Sequence, residues 1–210
     1  MVNKIQQSRL ILASKSPRRR YLLEQAGLKF DVIPSSIDES IIPQTTPIEY
    51  VKALSKVKAL DIAVRHPESW VIGADTIVLI GNRILGKPEG HSSARAMLQG
   101  LSGQTHQVFT GFTICCQQVK RQITASACTD VTFKQLSVNE IEWYISSDEP
   151  FDKAGAYAIQ GLGTFLVKSI KGSYTNVVGL PVCEVIEILI HEKVICMVNG
   201  TENEYNIDSR

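Results

Sequence analysis

Apolar residues follow one another almost without a break from Val71 to Ile80. A run of this length, rich in β-branched side chains, predicts a strand buried on both faces. Asp75 interrupts the run, and Gly73 and Ala74 stand just before it. A carboxylate in such a place is costly unless it is paired, hydrogen-bonded or bound to a metal. Small neighbours leave room for another group to approach the backbone. Asp75 is therefore a candidate functional residue; the plainer alternative is that it caps a neighbouring turn.

Along the rest of the chain the pattern alternates between strand and helix. Leu10 to Ala13 predicts a short strand, Ser16 an N-cap with Pro17 at the first helical position, and Gly27 the end of that helix. Phe30 to Pro34 predicts the next strand, and Ser35 to Ser40 a polar loop. Thr46-Pro47-Ile48-Glu49 is a capping box. It opens a helix with a broad apolar face through Val51, Leu54, Val57 and Leu60, ending near His66-Pro67. Gly81-Asn82 predicts a tight turn, with Arg83 to Pro88 returning beside the Asp75 strand. Ser92 to Leu98 reads as helix, Val108 to Cys116 as a central strand, and Gln122 to Phe133 as its partner. Ser137 to Glu140 is a second capping box, for a helix to about Ser146. Asp148 to Gly161 has no period and mixes charges with glycines, which suits a binding loop. Gly163 to Ile170 reads as a strand and Leu180 to Ile190 as a closing helix with Pro181 in its first turn. The polar stretch 191–210 is expected to be a tail or linker after a domain spanning 9–190. Periodicity by itself supports a mixed α/β domain.

Composition narrows the function. With 210 residues, 44% of them apolar, the chain can bury a sizeable core. Its 22 basic residues nearly balance 21 acidic ones, so nothing favours general nucleic-acid or membrane binding, and any anion site must be local. No apolar run is long enough to span a bilayer. The start of the chain has no basic segment followed by a long apolar stretch, so a cytoplasmic location is expected. The five cysteines form no C-x-x-C pair and read as buried thiols in a reducing compartment.

One local anion site is visible. Ser14-Lys15-Ser16-Pro17-Arg18-Arg19-Arg20 lies between a strand and a helix. A helix start offers free amides to an anion, while cations in its first turn oppose the helix dipole. Strand, polar turn and helix together favour phosphate binding there over a merely solvated basic run.

Six separated motifs then line up in order: Ala13-Ser14-x-Ser16-Pro17-Arg18-Arg19, Gly73-Ala74-Asp75-Thr76, Lys87-Pro88, Leu101-Ser102-Gly103 with His106, Asp152 to Tyr157 with Ile159-Gln160-Gly161, and Ile170 to Pro181 with Asn176-Val177-Val178-Gly179-Leu180-Pro181. As a set, from Arg9 to Ile190, they resemble the Maf family of nucleoside triphosphate pyrophosphatases. Thr76 and Gln160 are similar to the branch acting on dTTP and UTP. The resemblance implies an α/β fold of the Maf/ITPase-like kind: a curved mixed sheet in two lobes, flanked by helices, with an active cleft between them. It implies hydrolysis at the α-phosphorus, giving the nucleoside monophosphate and pyrophosphate, with Mg²⁺ or another divalent metal such as Mn²⁺, and a homodimer.

Site residues follow from the same motifs, with Glu39 and Lys58 added from outside them for the charge they could bring to a metal and to phosphates. Asp75, Lys87 and Glu39 are the implied catalytic residues. Ser14, Arg18, Arg19, Lys58, Asp152 and Lys153 would bind substrate, and Thr76 and Gln160 would meet a pyrimidine edge. Glu39 and Asp75, with Asp152 as a third, could hold the metal, since Mg²⁺ prefers oxygen ligands. Asp75 has two open roles: accepting the proton of the attacking water, or ligating the metal that acidifies it. Two other functions compete, a non-catalytic nucleotide-binding regulatory module and a pyrophosphatase for altered purine triphosphates.

Overall fold

The computed structural model describes residues 4–198. In chain order its elements are β1 (Lys4–Gln7), β2 (Leu10–Leu12), α1 (Pro17–Gln25), β3 (Asp31–Val32), α2 (Pro47–Ala63), β4 (Trp70–Ile80) and β5 (Arg83–Leu85). They continue with α3 (His91–Leu101), β6 (Thr105–Cys116), β7 (Arg121–Phe133), α4 (Val138–Ile145), β8 (Val167–Lys171), α5 (Tyr174–Val178), α6 (Val182–His191) and β9 (Ile195–Val198). Seven strands form one mixed sheet in the order β3-β2-β4-β6-β7-β8, with β5 paired to β4. β2 runs parallel to β3 and β4; every other pairing in this sheet is antiparallel. The expected mixed sheet flanked by helices is therefore present.

The strand alternation assigns the two faces. On one face α2 lies across β4 and β6, with Ala59 and Ile62 against Val71 and Cys115, and Val51 against Ile77 and Phe109. Two glycines set how close it comes. A Cβ on Gly73 would stand 2.4 Å from Ser55 O, and one on Gly111 would stand 2.3 Å from Val51 O. On the other face the core is split. Ile72 and Phe112 pack with Leu23 of α1 and Leu189 of α6. Val78 and Val108 pack instead with Leu98 of α3 and Ile141 of α4. β4 runs through both clusters, and Asp75 and Thr76 fall between them.

Several local expectations change. β3 shrinks to an exposed pair of residues. Gly161–Leu166 is a 3-10 helix rather than the start of a strand, because Glu149 caps its first amides. Ser173 caps α5, a short helix that the sequence pattern does not announce. Beyond His191 the chain is not simply a tail: β9 pairs antiparallel with β1, and Val194 and Ile195 join the α1–α6 core. The remainder of the expected tail, Thr201 to Arg210, lies outside the described residues. Cys115 and Cys116 are buried, but Cys128, Cys183 and Cys196 are exposed, so the expectation of five core thiols holds for two. Among the described residues no helix is long and apolar enough to cross a membrane.

Candidate active site

A gap along one edge of β4 creates the site. β2 pairs with Trp70–Ile72 and β5 with Val78–Ile80, which leaves Gly73 to Ile77 without a strand on that edge. Backbone groups in such a gap need other partners. Arg19 supplies one, donating from Nη1 to Ala74 O at 2.8 Å. A cleft of about 810 Å³ opens over the gap. Its walls are the β2–α1 turn, the Ser35–Glu39 loop, Lys58 of α2, Lys87 after β5, the Asp152–Gln160 segment and Gly179. All eleven residues singled out in the sequence line it.

Asp75 faces α2, on the same side of β4 as Gly73. The close seat of α2 on Gly73 brings Lys58 beside the acid. Lys58 Nζ donates to Asp75 Oδ1 at 2.6 Å and pairs with Glu39 Oε1 at 2.8 Å. The Lys58 and Asp75 side chains are only 12% and 13% exposed, against 53% for Glu39. A buried lysine without a carboxylate would be costly, so each ion sustains the other.

Arg19 holds the opposite face. Its Nε donates to Gly179 O at 2.8 Å, its Nη1 to Ser14 Oγ at 3.2 Å as well as to Ala74 O, and its Nη2 to Thr76 Oγ1 at 3.0 Å. Burial pushes its pKa down, and the negative charge of Asp75 opposes that shift. Four of five N–H donors are thus committed, leaving one on Nη2 for a ligand. Thr76 is drawn into the same network: its hydroxyl also lies 2.8 Å from Thr110 Oγ1. Thr76, expected to meet a pyrimidine edge, thus has its hydroxyl engaged by protein groups. Arg19 likewise acts first as a brace and only through one N–H as a binding group.

Asp152 is held between cations. Arg18 Nη1 lies 3.5 Å from Oδ2, and Lys153 Nζ pairs with Oδ1. Burial raises the Asp152 pKa, but the Lys153 hydrogen bond and the charges of Lys153 and Arg18 outweigh it and hold the carboxyl low. Lys153 Nζ also donates to Glu149 O at 2.6 Å. Among the described residues no three metal-binding side chains gather at one point. Asp152, expected as a third metal ligand beside Glu39 and Asp75, is engaged by Arg18 and Lys153 here.

The family model described as "Maf-like protein" matches residues 9–192. The chain belongs to this family. Among curated Maf relatives, a protein named dTTP/UTP pyrophosphatase from Syntrophus aciditrophicus is 50% identical over 86% of this chain and 88% of its own length. One of the same name from Halalkalibacterium halodurans is 50% identical over 86% of this chain and 94% of its own. A solved HAM1 protein from Coxiella burnetii aligns over 70% of this chain and 85% of its own, at 14% identity and a TM-score of 0.43.

The Maf cleft is chemically lopsided. Ser14, Arg18, Lys87 and Lys153 put hydrogen-bond donors and positive charge on its lining. Glu39 and Asp75 are the oxygen donors able to hold a divalent cation, once Lys58 no longer bridges them. Two carboxylates suit Mg²⁺, which completes its shell with substrate phosphates and water. Sequence reasoning missed Gly179 and Glu149. Gly179 acts through its carbonyl, inside a motif already noticed; Glu149 acts through a contact made across the fold, which no local spacing reveals.

Proposed function

We propose that this Maf protein hydrolyses dTTP and UTP to the nucleoside monophosphate and pyrophosphate. The observation that carries the reading is the placement of Asp75 in the β4 gap. It faces a cleft lined by Lys15, Arg18, Arg19, Lys58, Lys87 and Lys153, against Glu39 and Asp152 as the other acids, in a chain half identical to proteins named for this activity. The triphosphate lies along Ser14, Arg18, Lys87 and Lys153. Lys58 holds Oδ1 of Asp75, and no described residue donates to Oδ2. Oδ2 takes a proton from water as the water oxygen bonds to the α-phosphorus. The bond from that phosphorus to the bridging oxygen breaks, and pyrophosphate leaves with the electron pair. Positive charge fixed beside the phosphates favours the transition state in which negative charge develops on them. A divalent cation, taking the place of Lys58 between Glu39 and Asp75, would neutralise further phosphate charge.

Gln160 supplies the base contact. Gln160 lines the cleft and its side-chain amide bonds to no described residue, so it is available to both donors and acceptors of a pyrimidine. The decisive test is product analysis with dTTP, UTP, CTP, GTP and ITP in the presence of Mg²⁺. The expected products are dTMP or UMP with pyrophosphate, fastest for dTTP and UTP. Release of a nucleoside diphosphate and phosphate, preference for ITP, or tight binding without turnover would overturn the reading.

A further inference from the structure

Gln160 lies on a segment that is pinned on both sides. It is the N-cap residue of the Gly161–Leu166 3-10 helix. The first amides of such a helix have no partner within it. Here the Glu149 carboxylate takes them: Leu162 N donates to Oε2 at 3.0 Å and Gly163 N to Oε1 at 3.0 Å. Tyr144, fully buried in α4, donates its hydroxyl to Glu149 Oε1 at 2.9 Å and accepts from Ala158 N at 3.2 Å. The chain is thus fastened two residues before Gln160 and again two and three residues after it.

The glycines here have a physical cause. Gly161 has φ +68°, and a Cβ on it would stand 2.6 Å from Glu149 Oε2. A Cβ on Gly163 would stand 2.2 Å from Ala158 O and 2.7 Å from the Tyr144 hydroxyl. The backbone closes onto the carboxylate and phenol too tightly for side chains. Glu149 makes no ion pair with a described residue, so its charge is satisfied by N–H and O–H donors.

We infer that Glu149 is a positioning residue for base selection, fixing the backbone that presents Gln160 to the nucleobase. The inference rests on the reading that Gln160 meets the base of a pyrimidine triphosphate. A loosely held glutamine can follow several bases; one held on a fixed backbone leaves a mismatched base unpaired, which is the basis of rejection. Glu149→Gln keeps the shape but puts an amide N–H₂ against backbone donors, so one anchor is lost. The Lys153 contact is to the Glu149 backbone carbonyl and survives this change.

The test is a double-mutant comparison of Glu149→Gln, Gln160→Ala and both together. The reading is the ratio of kcat/KM for UTP to that for CTP, with thermal midpoints recorded alongside. Gln160→Ala should lower the ratio about tenfold, the worth of about one hydrogen bond. Glu149→Gln should lower it by a similar factor and add nothing in the Gln160→Ala background. A merely structural Glu149 would lower the thermal midpoint and leave the ratio intact, which overturns the proposal. So does a further fall of the ratio in the double variant. An unchanged ratio in Gln160→Ala overturns the base-reading role itself and the proposal with it. Should Glu149→Gln fail to fold, Tyr144→Phe, which removes the shared hydroxyl, takes its place in the same comparison.

Discussion

Lys58 Nζ lies 2.6 Å from Asp75 Oδ1, in a pair whose side chains are 12% and 13% exposed. The same ammonium reaches Glu39, so a resident cation already stands between the two carboxylates best placed to hold a metal. Under the proposed function, Lys58 and a divalent cation compete for this position in the nucleotide-free protein. Replacing Lys58 with Met leaves two carboxylates with no compensating charge. Nucleotide-free Lys58→Met should bind Mn²⁺ about tenfold or more tightly than wild type, since each like charge removed nearby is worth on the order of a kcal/mol or more. Electron paramagnetic resonance of free Mn²⁺ measures this directly. Equal Mn²⁺ affinity in the two proteins would show that Lys58 does not guard the carboxylates.

Asp75→Asn keeps the shape and removes the proton acceptor. Its kcat should fall about 10²- to 10⁴-fold, the usual contribution of a positioned general base. Binding of a non-hydrolysable UTP analogue, measured by calorimetry, should persist, because Ser14, Arg18 and Lys87 remain. Wild-type turnover in this variant would remove Asp75 from the proposed mechanism.

The seat of α2 on the sheet connects packing to this chemistry. Gly73→Ala would place a methyl 2.4 Å from Ser55 O and 2.6 Å from Ala59 N, both backbone atoms of α2. The helix must lift, at a cost of about 1–3 kcal/mol for over-packing. Lys58 rides on the same turn, so it should draw away from Asp75. Denaturant midpoints and pyrophosphate release should therefore both fall, whereas a loss of stability with full kcat would separate the seat of the helix from the site.

Much of this architecture is legible in the chain itself. Asp75 inside an apolar run marks the place where β4 loses its edge partners. Thr46 and Ser137 both cap their helices, Ser137 in a full capping box with Glu140 and Thr46 through its own hydroxyl. What local pattern cannot show is which side chain answers which across the fold. The Thr76 hydroxyl looks available in sequence, yet Arg19, Thr110 and Gly179 converge on it from three separate segments. Glu149 sits before a proline in an irregular stretch, and its value lies in amides thirteen and fourteen residues away. β9 is missed because its partner β1 lies at the far end of the chain. Local spacing encodes elements and their ends; long-range hydrogen bonds decide which polar groups remain available to a ligand.

His106 should make stability depend on pH. Its ring is buried between Phe133 and Tyr157, with centroids 5.0 and 5.3 Å away. Nε2 lies 2.7 Å from the Tyr157 hydroxyl, and Nδ1 is buried with no hydrogen-bond partner among the described residues. Burial lowers its pKa from 6.5 to about 4. Above pH 6.5 both folded and unfolded forms are neutral, and the shift costs nothing. Between pH 6.5 and 4 the unfolded chain takes up a proton that the folded chain refuses, so stability declines as pH falls. The decline should reach about 2 kcal/mol by pH 5 relative to pH 7.5. Glu140 and Glu192, whose pKa values are pulled from 4.5 to about 2 by Lys134 and Arg121 respectively, lose their contributions only below pH 4.5. The interval from pH 6.5 to 4.5 therefore isolates the histidine. Urea titrations of wild type and His106→Gln across it should show a sloping stability in the first and a much flatter one in the second. Parallel slopes would mean that another group sets the pH dependence.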